Sequence, residues 1–481
     1  MNYKMIFYTV GKVVLIEAML LFLPLVTALI YSEWWVAISF AITVGIALGA
    51  YLLSRLCFTP KDTIIFSKEG LIIVSLAWMV MSLIGCLPFI ISGEIPCFTD
   101  ALFETVSGFT TTGASILPRV EALSHGILFW RSFTHWIGGM GVLVFVMAVT
   151  SKNNDRSIHI LRAEMPGPTV DKLVPRARDT AKILYLIYVV LTLVLVVFIV
   201  CGDMNLFESL LHAFGTAGTG GFGVKSSSIT GYSAYSQWVI VVFMFIFGIN
   251  FNLFYLILLG KIKDVFKSGE LRAYFAIVVV SIAIITANII ESCSGFAEAL
   301  RLSAFQVTSI ISTTGFSTAN FDLWPSLSKS VLFILMLIGA CAGSTAGGFK
   351  VSRVVLLGKS VGREFKRVLH PRTASVIKSN GKRVDEETVR GVMSYLTVYA
   401  ACLLFLFLLI SFEPFSLETN LSAVVTCFNN VGPGFADVGP ALNFCSYTVF
   451  TKIVLTFAML LGRLEIYPIL LTLLPRTWLR K

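Results

Sequence analysis

Residues Ser107–Ser115 read SGFTTTGAS, and a segment of the same kind returns three times: Gly215–Gly223 (GTAGTGGFG), Ser309–Ser317 (SIISTTGFS) and Asn429–Asp437 (NNVGPGFAD). Each copy closes a short semi-polar segment between two long apolar runs. Three copies hold a Gly-Phe pair (Gly221-Phe222, Gly315-Phe316, Gly434-Phe435), with Gly113-Ala114 in the first. That alignment makes Gly113, Gly221, Gly315 and Gly434 equivalent. One such loop alone reads as an ordinary Gly/Thr turn. Four copies in register at membrane depth point to one pore, because non-helical backbone is tolerated there only around a cavity or inside protein.

Moving outward from the loops, each is preceded by an acid-led amphipathic segment: TDALFETVSG (Asp100, Glu104), NLFESLLHAF (Glu208), FAEALRLSAF (Glu298) and SLETNLSAVV (Glu418). An acid in the first turn favours a helix start. These segments are too short to span a bilayer and suit re-entrant helices. Acid and aligned glycine are separated by 13, 13, 17 and 16 positions, which predicts that the last two helices are about one turn longer.

The whole chain has the composition of a polytopic helical membrane protein. Of its 481 residues 56% are hydrophobic and 13% charged, with a mean hydropathy of +0.86. About ten apolar runs of spanning length are present, and their length argues against a β-barrel. The reading is all-α: an N-terminal hairpin over residues 1–58, then four repeats of helix, re-entrant segment and helix. The repeats cover residues 59–150, 151–260, 261–360 and 361–481. No cleavable signal peptide is evident.

The net charge of +10 reflects topology. Thirty of the 37 Lys and Arg fall in the termini and the inter-repeat linkers, which the positive-inside rule places in the cytoplasm with both chain ends. The opposite loops carry mostly acids, among them Glu33, Glu94, Asp100, Glu121, Asp203, Glu291 and Asp322. Anionic membrane lipid is a partner on this account and nucleic acid is not. The longest basic linkers, Lys152–Lys182 and Ser352–Arg390, are candidate docking surfaces or ordinary topological charge. The nine cysteines form no metal-binding spacing and read as packing residues.

A dehydrated monovalent cation needs close oxygens, and backbone carbonyls supply them without burying a full charge. The candidate filter is therefore Thr110, Thr111, Thr112 and Gly113; Thr219, Gly220 and Gly221; Ser312, Thr313, Thr314 and Gly315; and Asn430, Val431, Gly432 and Gly434. Helix C-termini aimed at the axis would disfavour anions. A second unusual stretch, Gly339–Lys350 (GACAGSTAGGFK), interrupts the last helix of the third repeat. Its glycines four apart fit a close-packing face. Gly343, Ser344, Thr345, Ala346, Gly347 and Gly348 also make a poor helix, so an unwound, movable loop is expected. Arg463, in LLGRLEIYP, is expected to face the pore and donate to carbonyls, or to pair with Glu465. Arg131 and His135 are expected to brace the pore helices.

Together SGFTTTGAS, FWRSFTHWIGGMG, TAGTGGFG, STTGFS, AGSTAGGFK, NNVGPGF and GRLEIYP resemble the TrkH/TrkG/KtrB group of bacterial potassium-uptake proteins, related to fungal Trk and plant HKT transporters. Length and the N-terminal hairpin are nearest the TrkH branch. The resemblance implies a homodimer in the bacterial inner membrane with one pore per protomer. It also implies K⁺ permeation with some Na⁺ or Rb⁺, K⁺ held by filter carbonyls, and no covalent cofactor. A cytosolic TrkA-like ring would carry the nucleotide that regulates transport. By the same resemblance residues 343–348 form an intramembrane gate opposite Arg463. A K⁺/H⁺ symporter with the same filter and a secondary transporter for an organic solute are the alternative readings. No constellation for an enzyme is present.

Overall fold

The computed structural model describes residues 1–60, 66–141, 177–371, 376–379 and 382–478. Among these residues the fold is all-helical apart from a small hairpin pairing Lys378–Ser379 with Lys382–Arg383. The basic segment Lys152–Lys182 lies largely outside the described residues. The other basic linker begins with the helix Val351–Leu369, whose Arg363 pairs with Glu386 at the start of the next helix.

Among the described residues six helices are long and apolar enough to cross a bilayer: Tyr3–Ile30, Trp34–Cys57, Lys68–Ser92, Asp179–Val200, Gly269–Ser292 and Glu386–Ile410. The first bends at Leu21, ahead of Pro24, whose missing N–H weakens the helical ladder there. Lipid-facing surfaces carry exposed Leu29, Leu53, Leu193, Val197, Phe405 and Leu408, as an integral membrane protein requires.

Ten spans were expected. The remaining four apolar runs behave differently: they form four shorter returning helices, His125–Gly139, Ala234–Phe247, Ser326–Ile338 and Val449–Arg463, of 15, 14, 13 and 15 residues. At 1.5 Å per residue each reaches only about 20 Å, against a hydrocarbon core of about 30 Å. All four stop partway. The first ends at Met140 and a left-handed Gly141 (φ 76°), and the second turns by 91° into Phe251–Leu258. Gly339 (φ 70°) ends the third, and the fourth ends at Glu465 and Ile466 with φ of 55° and 66°. The expected interruption at Gly339–Lys350 is thus one of four breaks.

The short helices between them are Phe98–Phe109, Leu206–Gly218, Phe296–Ile311 and Leu417–Phe428. Their starts follow local chemistry. The Asn205 side chain accepts from Glu208 N (2.8 Å), Ser416 Oγ accepts from Thr419 N (3.1 Å), and an acid occupies every first turn. The third is one turn longer, at 16 residues against 12 in the first. The fourth has 12 residues and is not lengthened, contrary to the spacing-based expectation. Its loop turns at an earlier glycine than Gly434.

Candidate ion-permeation site

The four short helices end in one repeated device. A residue one or two positions past each end is left-handed: Thr111, Thr219 and Thr313 at φ 56°, and Asn430 at φ 55°. The next N–H then reaches back five residues: Thr112 N to Ser107 O (2.9 Å), Gly220 N to Gly215 O (2.8 Å), Thr314 N to Ser309 O (2.8 Å) and Val431 N to Thr426 O (2.9 Å). This is the double-bonded helix stop usually built on glycine. A β-branched threonine in that conformation is strained, and strain of this kind persists where surrounding structure dictates it.

One residue beyond those N–H donors comes the glycine. Gly113, Gly221, Gly315 and Gly432 have φ of 79°, 78°, 82° and 102°. A Cβ at Gly113 would lie 2.1 Å from Gly220 O, at Gly221 2.0 Å from Thr314 O, at Gly315 2.2 Å from Val431 O, and at Gly432 2.7 Å from Thr112 O. Each glycine therefore abuts the carbonyl of the next loop, and the fourth abuts the first. The ring closes. These contacts correct the sequence alignment: the fourth equivalent is Gly432, and the matching segment is Thr426–Gly434. Gly434 lies outside the ring, donating its N–H to Val438 O (2.7 Å), with Ser422 beside it. The recurring Gly-Phe pair misled the alignment because the fourth loop carries Pro433 after its ring glycine.

The hydroxyls divide in two. Thr110 bonds Thr112 (2.8 Å) and Ser312 bonds Thr314 (2.7 Å), a matching pair in loops one and three. Asn430 Nδ2 donates to Thr112 Oγ1 (3.0 Å) and Met459 O (2.9 Å), tying loop four to loop one and to the fourth returning helix. Among the described residues Thr111 Oγ1 and Asn430 Oδ1 are buried without a protein hydrogen-bond partner.

Loops one and two are braced by charge. Arg131 Nε pairs with fully buried Glu104 at 2.6 Å, its Nη1 donates to Gly223 O (3.1 Å), and its guanidinium lies 3.5 Å from the Phe222 ring centre. Glu104 also accepts from Ser115 Oγ (2.9 Å) and Ile116 N (3.0 Å). His135 contacts Gly108 O through Nδ1 (2.8 Å) and accepts from Phe222 N at Nε2 (3.3 Å). These partners define a neutral ring protonated at Nδ1. The expected bracing role of Arg131 and His135 has this physical form. Glu104 as the counter-charge was not foreseen, because the pairing spans 27 positions.

Two cavities flank the ring. A vestibule of about 120 Å³ is lined by Gly113, Gly221, Gly315 and Gly432 together with Ser115 and Ser317. On the opposite side lies a smaller one of about 40 Å³, lined by Gly139, Gly343, Gly347, Lys350, Arg463 and Glu465. Residues 343–348 sit there within the non-helical stretch 339–350. Arg463 donates to the carbonyls of Gly138, Gly139 (2.9 Å) and Thr345 (2.7 Å), and Glu465 pairs with Arg353. The stretch also touches the ring loops directly, Gly347 N donating to Thr313 Oγ1 at 2.7 Å.

The fold and this site define a class: an all-helical integral membrane protein in which four short helices end at one closed ring of loops. The chain belongs to the TrkH family of cation transport proteins, whose family model matches residues 38–478. It is 35% identical over 493 aligned positions to the Trk system potassium uptake protein TrkH of Salmonella typhimurium, covering 99% of this chain and 100% of that one. Identity to the Trk system potassium uptake protein TrkG of Escherichia coli is 31%, covering 97% of both. The crystal structure of the potassium transporter TrkH from Vibrio parahaemolyticus superposes with a TM-score of 0.90 at 31% identity, covering the whole of each chain.

Proposed function

We propose that this chain is the potassium-translocating subunit of a Trk-type uptake system. K⁺ enters the vestibule, sheds water against the carbonyls of the four loops, and passes to the cavity on the cytoplasmic side. The observation that carries the reading is the closed ring, in which four glycines at φ near 80–100° each abut the carbonyl of the neighbouring loop. A ring of carbonyl dipoles replaces a hydration shell without fixing a full negative charge. The filter comprises Thr110–Gly113, Thr219–Gly221, Ser312–Gly315 and Asn430–Gly432.

The stretch 343–348 with Arg463 is the gate in this reading. The four repeats surround one pore in each protomer of a homodimer in the bacterial inner membrane, with both termini cytoplasmic. Nucleotide acts on a TrkA-like cytosolic ring and not on this chain. Rb⁺ and some Na⁺ follow the same route.

Reversal potentials of the purified protein in mixed K⁺ and Na⁺, repeated under imposed pH gradients, test this. A potential set by the K⁺ gradient and indifferent to pH is expected. One that tracks the proton gradient identifies K⁺/H⁺ symport, and one blind to K⁺ removes the potassium assignment.

A further inference from the structure

The carboxylate of Glu270 stands outside the filter and outside the glycine-rich stretch, yet it holds that stretch near both of its ends. A single oxygen, Oε1, accepts from Ala342 N (2.7 Å) and from Ser352 N (3.2 Å). Ala342 lies three residues past Gly339, where the unwound stretch begins, and Ser352 lies in the first turn of the helix that follows it. Between them the neck is already paired, Lys350 N to Ile338 O (2.8 Å) and Val351 N to Ala340 O (3.0 Å). A neck closed on itself moves as one piece, and Glu270 fastens that piece to a neighbouring element.

That element is the start of the third repeat's first helix, Gly269–Ile289, where Glu270 lies in the first turn. The connector leading to it, residues 251–268, starts at the 91° break, whose residues 247–251 grip the same stretch. Phe251 N donates to Gly343 O (2.9 Å), Cys341 N donates to Gly248 O (3.1 Å), and Thr345 Oγ1 donates to Phe247 O (3.3 Å). These are the backbone groups that the 91° break after Phe247 leaves without helical partners. One short run of chain therefore holds the stretch at its middle through the break and at its neck through Glu270.

Resting on the gate assignment above, we infer that Glu270 is a positioning residue that latches the gating loop closed. The latch works through its acceptor oxygen, which two backbone N–H groups share. Displacing the connector 251–268 pulls on the break and on the latch together, so both attachments of the loop respond to one movement.

The test is ⁸⁶Rb⁺ uptake into proteoliposomes by the full-length protein without its partner. Glu270→Ala removes the acceptor and is expected to raise basal uptake by about tenfold, the factor for losing one such bond in the closed state. Glu270→Gln keeps an amide oxygen in place and is expected to stay within about twofold of the wild type. Should Glu270→Ala fail to fold, Glu270→Asp, one methylene short, is expected to leak at an intermediate level. Wild-type uptake in a folded Glu270→Ala or Glu270→Asp protein overturns the latch, as does a Gln variant as leaky as Ala. A chain lacking residues 343–347 separates the two readings. Leak there but not in Glu270→Ala rejects the latch alone, whereas no Rb⁺ uptake in either rejects the conduit as well.

Discussion

At the scale of single residues, the fourth loop distinguishes a glycine required by the ring from one that fills space. Gly432 has φ 102° and its missing Cβ would lie 2.7 Å from Thr112 O, a backbone atom that cannot rotate away. Gly434 has no positive φ, and a Cβ there would meet Val438 Cγ2 (2.8 Å) and Ser422 Oγ (2.9 Å), both side-chain atoms. Gly432→Ala is therefore expected to lower K⁺ uptake by at least tenfold or abolish K⁺ over Na⁺ preference, and Gly434→Ala to preserve both with a loss of about 1–2 kcal/mol in stability. Reversal potentials and thermal unfolding in detergent measure the two effects. The reverse ranking would restore Gly434 to the ring. Gly113→Ser tests the same geometry from the first loop, since its Cβ would fall 2.1 Å from Gly220 O.

At the scale of elements, one left-handed threonine joins the glycine ring to the unwound stretch 339–350. Thr313 ends the third short helix in a conformation a β-branched residue adopts under strain, and its hydroxyl accepts from Gly347 N at 2.7 Å. Glycine would relieve the strain and lose the acceptor. Thr313→Val keeps the shape and removes the acceptor, leaving a buried N–H unpaired at a cost of about 1–3 kcal/mol. Basal Rb⁺ uptake is expected to rise in Thr313→Val and return to the wild-type level in Thr313→Ser. Equal leak in both would trace the effect to packing and not to the hydrogen bond.

Much of this level was legible in the sequence. Acid-led helix starts, hydroxyl-and-glycine stops and the unwound Gly339–Lys350 announce themselves because local chemistry forces them. The breaks after Gly139, Phe247 and Arg463 do not, since a glycine within an apolar run reads equally well as a packing residue. Gly138 and Gly462 are packed that way, each lacking a Cβ where the last carbonyl of a short helix, Phe109 O or Phe428 O, comes close. Pairings such as Glu104 with Arg131 and Glu270 with Ala342 join residues far apart in the chain, and only the fold brings them together.

At the scale of the molecule, the four broken returning helices meet beneath the ring, and Arg463 joins three of them. It ends the fourth, donates to Gly138 O and Gly139 O at the end of the first, and donates to Thr345 O in the break of the third. The second break is tied in through Phe247 O and Phe251 N. A guanidinium suits this junction because its planar fork serves several acceptors at once, and its charge opposes a cation in the cavity it lines. Arg463→Ala removes both effects and is expected to raise basal Rb⁺ uptake by about tenfold or more. Arg463→Lys keeps the charge without the fork. Uptake between wild type and Arg463→Ala is expected for it, and its distance from each divides the closed state between electrostatic repulsion and the mechanical junction. A folded Arg463→Ala protein with wild-type uptake would instead make the junction a packing feature, and the closed state would then have to reside in the loop and its attachments to Glu270 and the second break.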